Sequence, residues 1–240
     1  MQDQMQADAA ALKAGHHWKE DDRVSQYVSL EDQETQATAR IFNIMTETLP
    51  FDREAPIRVL DVGSGHGVVA AAVLEAFPKA TAVGLDISEA MMEIGRERMS
   101  RFGDRFRYHL GDFADGSLPA DLTEKFDVVV SARAIHHLTP ENKQRLYANL
   151  FAVLAEGGCF YDIDNMRPNE AFLQQLYRRG PDAVRPMGAP AVGTPRPAGT
   201  PSREHPDPME DQLGWLRAAG FQHVDCLWKQ LGRSMIAGFK

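Results

Sequence analysis

The chain is predicted to fold as an α/β protein built on a doubly wound, mostly parallel sheet. Three observations carry this prediction. Short apolar runs alternate with helical stretches from residue 57 to residue 164, the pattern of strands buried beneath crossover helices. The first of those runs leads straight into a glycine-rich turn, Gly63-Ser64-Gly65-His66-Gly67, that opens a helix. The length, 240 residues, suits one such domain, or one domain with a small cap, and its core needs no disulfide or metal staple.

Residues 1–33 are polar, with Trp18 and Tyr27 as isolated aromatics. A helix is expected from Glu34 to Leu49, because Ala37, Ile41, Ile44, Met45 and Thr48 lie near one face. Pro50 ends it. Ile57–Val62 reads as a buried parallel strand, Val68–Phe77 as a helix ended by Pro78, and Thr81–Asp86 as the second strand. Glu89–Phe102 reads as a helix capped by Ser88, Arg105–Leu110 as a third strand, and Phe126–Ala132 as a strong fourth. Thr139–Leu154 is a helix with Thr139 as its cap and Pro140 at its first position. Gly157-Gly158 is expected to stop it ahead of the strand Cys159–Asp164. The pattern breaks after Gly180. The stretch Gly180–Pro208 holds eight of the fourteen prolines and four glycines, which excludes a regular helix or central strand and suits a lid or linker. Met209–Ala219 then reads as a helix, and Phe221–Trp228 and Ser234–Phe239 as the last two of seven strands, with Trp215, Phe221 and Trp228 in the core.

Composition narrows the function. The formal charge of −8 makes the surface as a whole repel nucleic acid and anionic membrane. The two cysteines, Cys159 and Cys226, fall in strand runs and read as buried free thiols of a reducing compartment. No CxxC pair or HExxH helix occurs, so no metal site is expected. The longest apolar run, Val68–Ala76, is broken by Glu75 and is too short to span a bilayer. Met1–Ala14 lacks a basic stretch followed by an apolar one, so it does not read as a secretory signal. A cytoplasmic address is expected.

The glycine turn has several readings. The dinucleotide fingerprint wants GxGxxG; Gly63 and Gly65 match, but Val68 stands at the third position. The phosphate-binding P-loop needs a Lys after its last glycine, and Val68 follows Gly67 instead. What remains, a hydrophobic strand followed by Asp61-Val-Gly63-Ser64-Gly65-His-Gly67, resembles the first motif of the class I S-adenosylmethionine (SAM)-dependent methyltransferases, D/E-x-G-x-G-x-G. Asp86 closes the second strand about twenty residues on, where a carboxylate accepts ribose hydroxyls; its plain alternative is an acid at a helix start. The resemblance extends to Gly111-Asp112-Phe113 after the third strand, at the family's adenine position. It extends again to Phe126-Asp-Val-Val-Val-Ser131-Ala132-Arg133-Ala-Ile-His136-His137-Leu138, the fourth motif and the loop behind it. The final Trp215-Leu-Arg-Ala-Ala-Gly-Phe221 is similar to an element that precedes the last two strands in many small-molecule methyltransferases.

The resemblance implies a Rossmann-like, seven-stranded sheet with an antiparallel last strand and helices on both faces. It implies SAM as cofactor, held by Asp61, Gly63, Ser64, Gly65 and Gly67, by Asp86, Ile87 and Met91, by Gly111, Asp112 and Phe113, and by Ser131, Ala132 and Arg133. It also implies an N-terminal helical lid or extension over residues 1–50 and a SAM-binding domain over 51–240, with a cap insertion at about 165–208. Methyl transfer is an in-line displacement, so the protein mainly aligns the partners and keeps the site dry. A nucleophile that carries a proton also needs a base, and His136 and His137 are placed for it. In the similar phosphoethanolamine methyltransferases the His matching His137 pairs with a Tyr of an N-terminal lid; Tyr27 is the candidate here. The alternative is that the histidines only pack or touch SAM. Arg133 departs from that subfamily, which often has an acid there, so a choline-like cation is not implied.

The acceptor is expected to be a small molecule, touched by Trp18, Arg167 and Tyr177. The stretch 165–204 carries six arginines against three acids, which suits an anionic substrate; scattered solvated arginines are the alternative. The leading expectation is N- or O-methylation of a metabolite by a monomer or homodimer. Wobble-uridine-type tRNA modification is a second reading, opposed by the acidic charge. A SAM-binding protein or cyclase without methyl transfer is a third.

Overall fold

The structure, a computed structural model, describes residues 35–179 and 205–240. Trp18, Tyr27 and residues 180–204 lie outside the described residues. The apolar runs become β1 (Arg58–Val62), β2 (Thr81–Asp86), β3 (Phe106–Leu110), β4 (Phe126–Ala132), β5 (Leu154–Asn165), β6 (Gln222–Gln230) and β7 (Arg233–Phe239). Their order in the sheet is β3-β2-β1-β4-β5-β7-β6. Strands β1 to β5 pair in parallel, and β7 runs antiparallel to both β5 and β6. This is the doubly wound architecture expected from the alternation, with the antiparallel last strand in place.

The helices are α1 (Thr35–Thr48), α2 (Val68–Ala76), α3 (Glu89–Met99), α4 (Pro140–Val153), α5 (Ala171–Arg179) and α6 (Met209–Ala219). Strand side chains alternate between faces, and β4 shows the division. Val128 and Val130 join one core with Ile41, Met45, Val69 and Val73 of α1 and α2. Val129 joins the other with Leu146 and Leu150 of α4 and Leu216 of α6. Each fully buried side chain of this kind contributes about 1.5–3 kcal/mol. Ile41, Phe42, Met45 and Leu49 of the expected extension therefore share the core of the sheet domain.

Several boundaries move, each for a local reason. On α1, Phe42 and Leu49 are buried beside Ile41 and Met45, while Thr48 faces out and its carbonyl accepts the Tyr161 hydroxyl at 2.7 Å. The third helix ends at Met99, and Ser100–Arg105 winds as a tighter turn broken at Gly103. Arg105 donates to the carbonyls of Leu74, Phe77 and Ala80, so it closes the end of α2. Gly157 and Gly158 do not stop α4. The helix ends at Val153, and β5 starts at once, with Leu154 paired to Phe126. The Lys240 ammonium caps that end by donating to Phe151 and Leu154 carbonyls, both at 2.9 Å; the glycines lie within the irregular start of β5. Helix α5 falls where the sequence pattern assigns no element. Cys159 is buried as expected, but Cys226, on the edge strand β6, is half-buried. Phe221 is in the core, whereas Trp215 and Trp228 are only partly covered.

Asp61 links sheet and helix. It is fully buried at the end of β1, and its Oδ2 accepts the Ala70 amide at 3.0 Å in the first turn of α2. A strand-end carboxylate thus does the capping work that a local side chain usually does; Gly67, at the cap position, has no side chain to offer. Burial, opposed by the Ala70 bond and helped by nearby Asp86, pushes the Asp61 carboxyl up to about 7. The folded state then holds a proton that the unfolded chain releases near 3.8. Stability from this group is complete below that value and is lost as pH rises through about 7. Asp61→Asn keeps an acceptor for Ala70 and removes the titration. Relative to the parent, the variant is expected to gain about 4 kcal/mol between about pH 4 and about pH 8 in urea unfolding. A difference that stays constant with pH would place the carboxyl in its ordinary range.

Candidate active site

Strand order reverses between β1 and β4, and open α/β sheets bind ligands at the carboxyl ends of the strands where that happens. A cleft of about 940 Å³, open mouth included, lies there. Its lining comes from the β1–α2 turn, the end of β2 and start of α3, the loop after β3, and the loop after β4.

The turn is held from below. Gly63 and Ser64 both donate their amides to the Leu85 carbonyl of β2, at 2.8 and 3.1 Å. The Gly65 amide donates to Asp86 Oδ2 at 2.7 Å. Three amides that a phosphate would need are thus already used, so the turn is not a phosphate cradle. Gly63 is required for two reasons: its φ is +71°, and a Cβ there would lie 2.2 Å from the Ala134 Cβ across the cleft floor. Beneath the turn, Tyr108 of β3 donates its hydroxyl to the Gly65 carbonyl at 3.2 Å. Gly95 of α3 leaves the space for it, since a Cβ there would meet the Tyr108 oxygen at 1.7 Å. Ser64 lies over Gly84 of β2, and its hydroxyl is buried with no partner among the described residues.

Asp86 is a brace as well as a lining residue. Its second oxygen accepts the Ser88 amide at 2.8 Å, and Ser88 Oγ in turn caps α3 by accepting the Met91 amide at 3.2 Å. Burial raises the Asp86 pKa, while the amides of Ser88, Gly65 and Ile87 hold it down. After β3, Asp112 is exposed and accepts the Ala114 amide at 2.8 Å, and Phe113 packs within 3.3 Å of where a Gly63 Cβ would stand. Asn142 of α4 ties this loop down through the Ala114 carbonyl at 2.8 Å.

On the opposite side, the chain leaves β4 through Arg133 at φ +55°, a backbone region uncommon for a side-chain-bearing residue. The Arg133 amide donates to the Ile163 carbonyl at 3.0 Å. A short helical turn, Ile135–His137, follows. It turns His137 to the cleft and His136 away from it. His136 is 7% exposed, and its Nδ1 lies 2.6 Å from Asp164 Oδ1.

The structure thus brings most of the predicted residues to one cleft: Gly63, Ser64 and Gly65; Asp86, Ile87 and Met91; Asp112 and Phe113; Ala132, Arg133 and His137. Asp61, Gly67, Gly111, Ser131 and His136 do not line it. Asp61 is committed to α2, and Ser131 ties β4 to β1 by donating its hydroxyl to the Val62 carbonyl at 2.8 Å. Gly67 abuts Met99, and Gly111 abuts Pro119 and Leu85. Arg167 is exposed and bridged to Pro208, and Tyr177 sits beneath the Lys229 ammonium; neither lines the cleft. Trp18 and Tyr27 lie outside the described residues. Sequence reasoning missed His66, Val68, Val69, Ser88, Ala114, Ala134 and Leu138. Ser88, His66, Ala134 and Leu138 belong to motifs already singled out and were legible as their neighbours; the others reach the cleft only through the paths of the chain. Among the described residues there is no cluster fit for a metal ion and no helix long and apolar enough to cross a membrane.

Known proteins point the same way. The family described as "Methyltransferase domain" matches residues 59–158, from β1 to the start of β5. An uncharacterized methyltransferase of Bacillus pumilus is 30% identical over 158 residues, 66% of this chain and 68% of that protein. The trans-aconitate 2-methyltransferase of Methylobacterium radiotolerans is 30% identical over 169 residues, 69% of this chain and 58% of that protein. The chain thus spans less than two thirds of that relative's length. The solved structure "PigF with SAH" has the same fold at a TM-score of 0.63 and 18% identity, covering 93% of this chain and 60% of its own. The glycine turn, the acid ending β2 and the His-bearing loop after β4 all lie within the matched stretch, and the chain belongs to the class I SAM-dependent methyltransferases.

Proposed function

We propose that the chain transfers the SAM methyl group to a nitrogen or oxygen atom of a small metabolite, with His137 as general base. The observation that carries the reading is one cleft with the glycine turn and Asp86 on its β1–β2 side and His137 on its β4 side. When bound, SAM supplies an electrophilic methyl group on a cationic sulfur.

The lining fits such a group. A Cβ at Gly65 would meet nothing within 4 Å, so the turn is bare where a ligand approaches. Asp86 accepts the amides of Gly65, Ser88 and Ile87 and keeps part of its accepting capacity for hydroxyl donors. The Asp86 carboxyl at this end of the cleft suits hydroxyl donors and a cation and opposes a phosphate. Met91, Phe113, Ala132, Ala134 and Leu138 form apolar walls, which keep water out and strengthen the alignment of the reacting atoms.

His137 is half-buried in the lining, where a neutral imidazole takes the proton of an attacking N–H or O–H. Arg133 adds a cation to the same wall. It favours an anionic acceptor, in keeping with the relative named for trans-aconitate. The reading includes residues 1–50 as an N-terminal extension, anchored by its core helix, that carries Trp18 and Tyr27, a cap over about 165–208, and a monomer or homodimer acting in the cytoplasm.

Calorimetry with SAM and S-adenosylhomocysteine tests the site; failure of both to bind the folded protein would reject it. Asp86→Ala is expected to weaken SAM binding about ten- to a hundredfold, the loss of a charged hydrogen bond of about 1.5–3 kcal/mol. His137→Ala is expected to leave S-adenosylhomocysteine affinity within about threefold while slowing labelled-methyl transfer to a metabolite extract by about a hundredfold or more. Equal loss of binding in both variants would make His137 a cofactor contact only. Mass spectrometry and NMR of the product identify the methylated atom. A product in tRNA instead, or binding with no methylated product at all, would favour the two competing readings.

A further inference from the structure

The buried partner of the cleft histidine carries an inference of its own, resting on the reading of His137 above. Asp164, one residue before the end of β5, grips His136 twice. Its Oδ2 accepts the His136 amide at 2.9 Å, and its Oδ1 lies 2.6 Å from the His136 ring Nδ1. The His136 carbonyl is also engaged, accepting the His205 amide at 2.7 Å. The segment that supplies His205 is itself anchored by Lys143 of α4. Its ammonium is 1% exposed and donates to Asp207 Oδ2 at 2.7 Å and to the His205 carbonyl.

Both backbone polar groups of His136 are therefore tied, one to the sheet and one to the returning chain. The next residue is His137. Its amide is held by the Ala134 carbonyl at 3.3 Å, and its ring packs against that of His136, with centroids 4.0 Å apart and planes tilted by 43°. The peptide between the two histidines has little freedom left, and one ring forms the bed of the other. Simple packing would be met by an apolar pair, which avoids the desolvation of two polar groups. A carboxylate that grips the amide and the ring at once instead sets direction. Burial raises the Asp164 pKa, but His136, through charge and hydrogen bonding, brings it below the usual carboxylate range, as an ionised partner requires.

We infer that Asp164 and His136 are positioning residues that aim the His137 ring into the cleft, and that neither touches substrate. Three variants test this: His136→Leu, which removes the grip on the ring; His136→Asn, whose amide replaces the Nδ1 donor; and Asp164→Asn. Each is examined by S-adenosylhomocysteine calorimetry, by the ring signals of His137 in nitrogen-correlated NMR, and by labelled-methyl transfer to a metabolite extract. The expected result is affinity within about threefold of the parent, a displaced His137 ring signal in His136→Leu and Asp164→Asn, and transfer slowed about ten- to a hundredfold, the cost of misplacing a reacting group by roughly 1 Å. His136→Asn is expected to recover most of both the signal and the rate. An unmoved His137 signal in His136→Leu and Asp164→Asn would overturn the inference. So would loss of affinity in step with transfer, which would make the pair a general support of the fold. Should His136→Leu not fold, Asp164→Asn against His136→Asn decides by the same readouts. Should the parent transfer no methyl group, the proposed function fails alone, and the ring signal still decides the positioning role.

Discussion

The site depends on two buried carboxylates at the ends of adjacent parallel strands. Asp61 and Asp86 each reach across a turn and hold one amide of the β1–α2 connection, at Ala70 and Gly65. The turn cannot hold itself, because Gly63, Gly65 and Gly67 all have positive φ and no side chain. Glycine permits the path but supplies no stability; the bonds come from elsewhere in the sheet. The cost is visible in both carboxyl groups, whose pKa values rise because burial disfavours their charge. Any distortion of β2 against β1 would release the turn from Leu85 and Asp86.

That arrangement also separates this turn from a phosphate-binding one. A phosphate-binding turn leaves its amides free and places a cation nearby. Here three amides are satisfied internally, and a carboxylate, Asp86, holds the turn's Gly65 amide. The same glycine spacing thus serves opposite electrostatics, depending on where the adjacent strands end. The β4 side is built differently. It relies on a tight exit at Arg133, a single helical turn, and the Asp164–His136 pair. The two sides meet where Ala134 packs against Gly63.

The face of the sheet under α4 and α6 is more polar than its opposite. Asp162, Asp164, Lys143, Tyr147 and Gln212 are all buried there, with Tyr147 donating to Gln212 at 2.7 Å. Such a cluster gives little net stability, since desolvation offsets most of the attraction, but it holds a single arrangement of its parts. Its position beneath the His136–His137 turn puts that rigidity at the β4 side of the cleft, while the apolar core under α1 and α2 supports the glycine turn.

Periodicity and punctuation made the fold legible: seven apolar runs, the glycine turn and the caps Ser88 and Thr139 lie where the pattern placed them. These are local properties, set by side chains a few residues apart. The sequence also brought Asp86, Asp112–Phe113 and Ala132–Arg133 to one cleft, because they follow strand ends, and strand ends converge. What it left open were choices made by distant partners. Which of two adjacent histidines faces the cleft depends on Asp164, 28 positions away. Helix α4 ends before Gly157 because Lys240 supplies donors to its last carbonyls. Arg167 and Tyr177 lie away from the cleft because Arg167 pairs with Pro208 and Tyr177 sits under Lys229. The chain alone determined the order of strands, turns and caps, and with it which strand ends meet at the cleft. Only the tertiary structure decided which way they point, because orientation is set by hydrogen bonds between residues that the sequence keeps far apart.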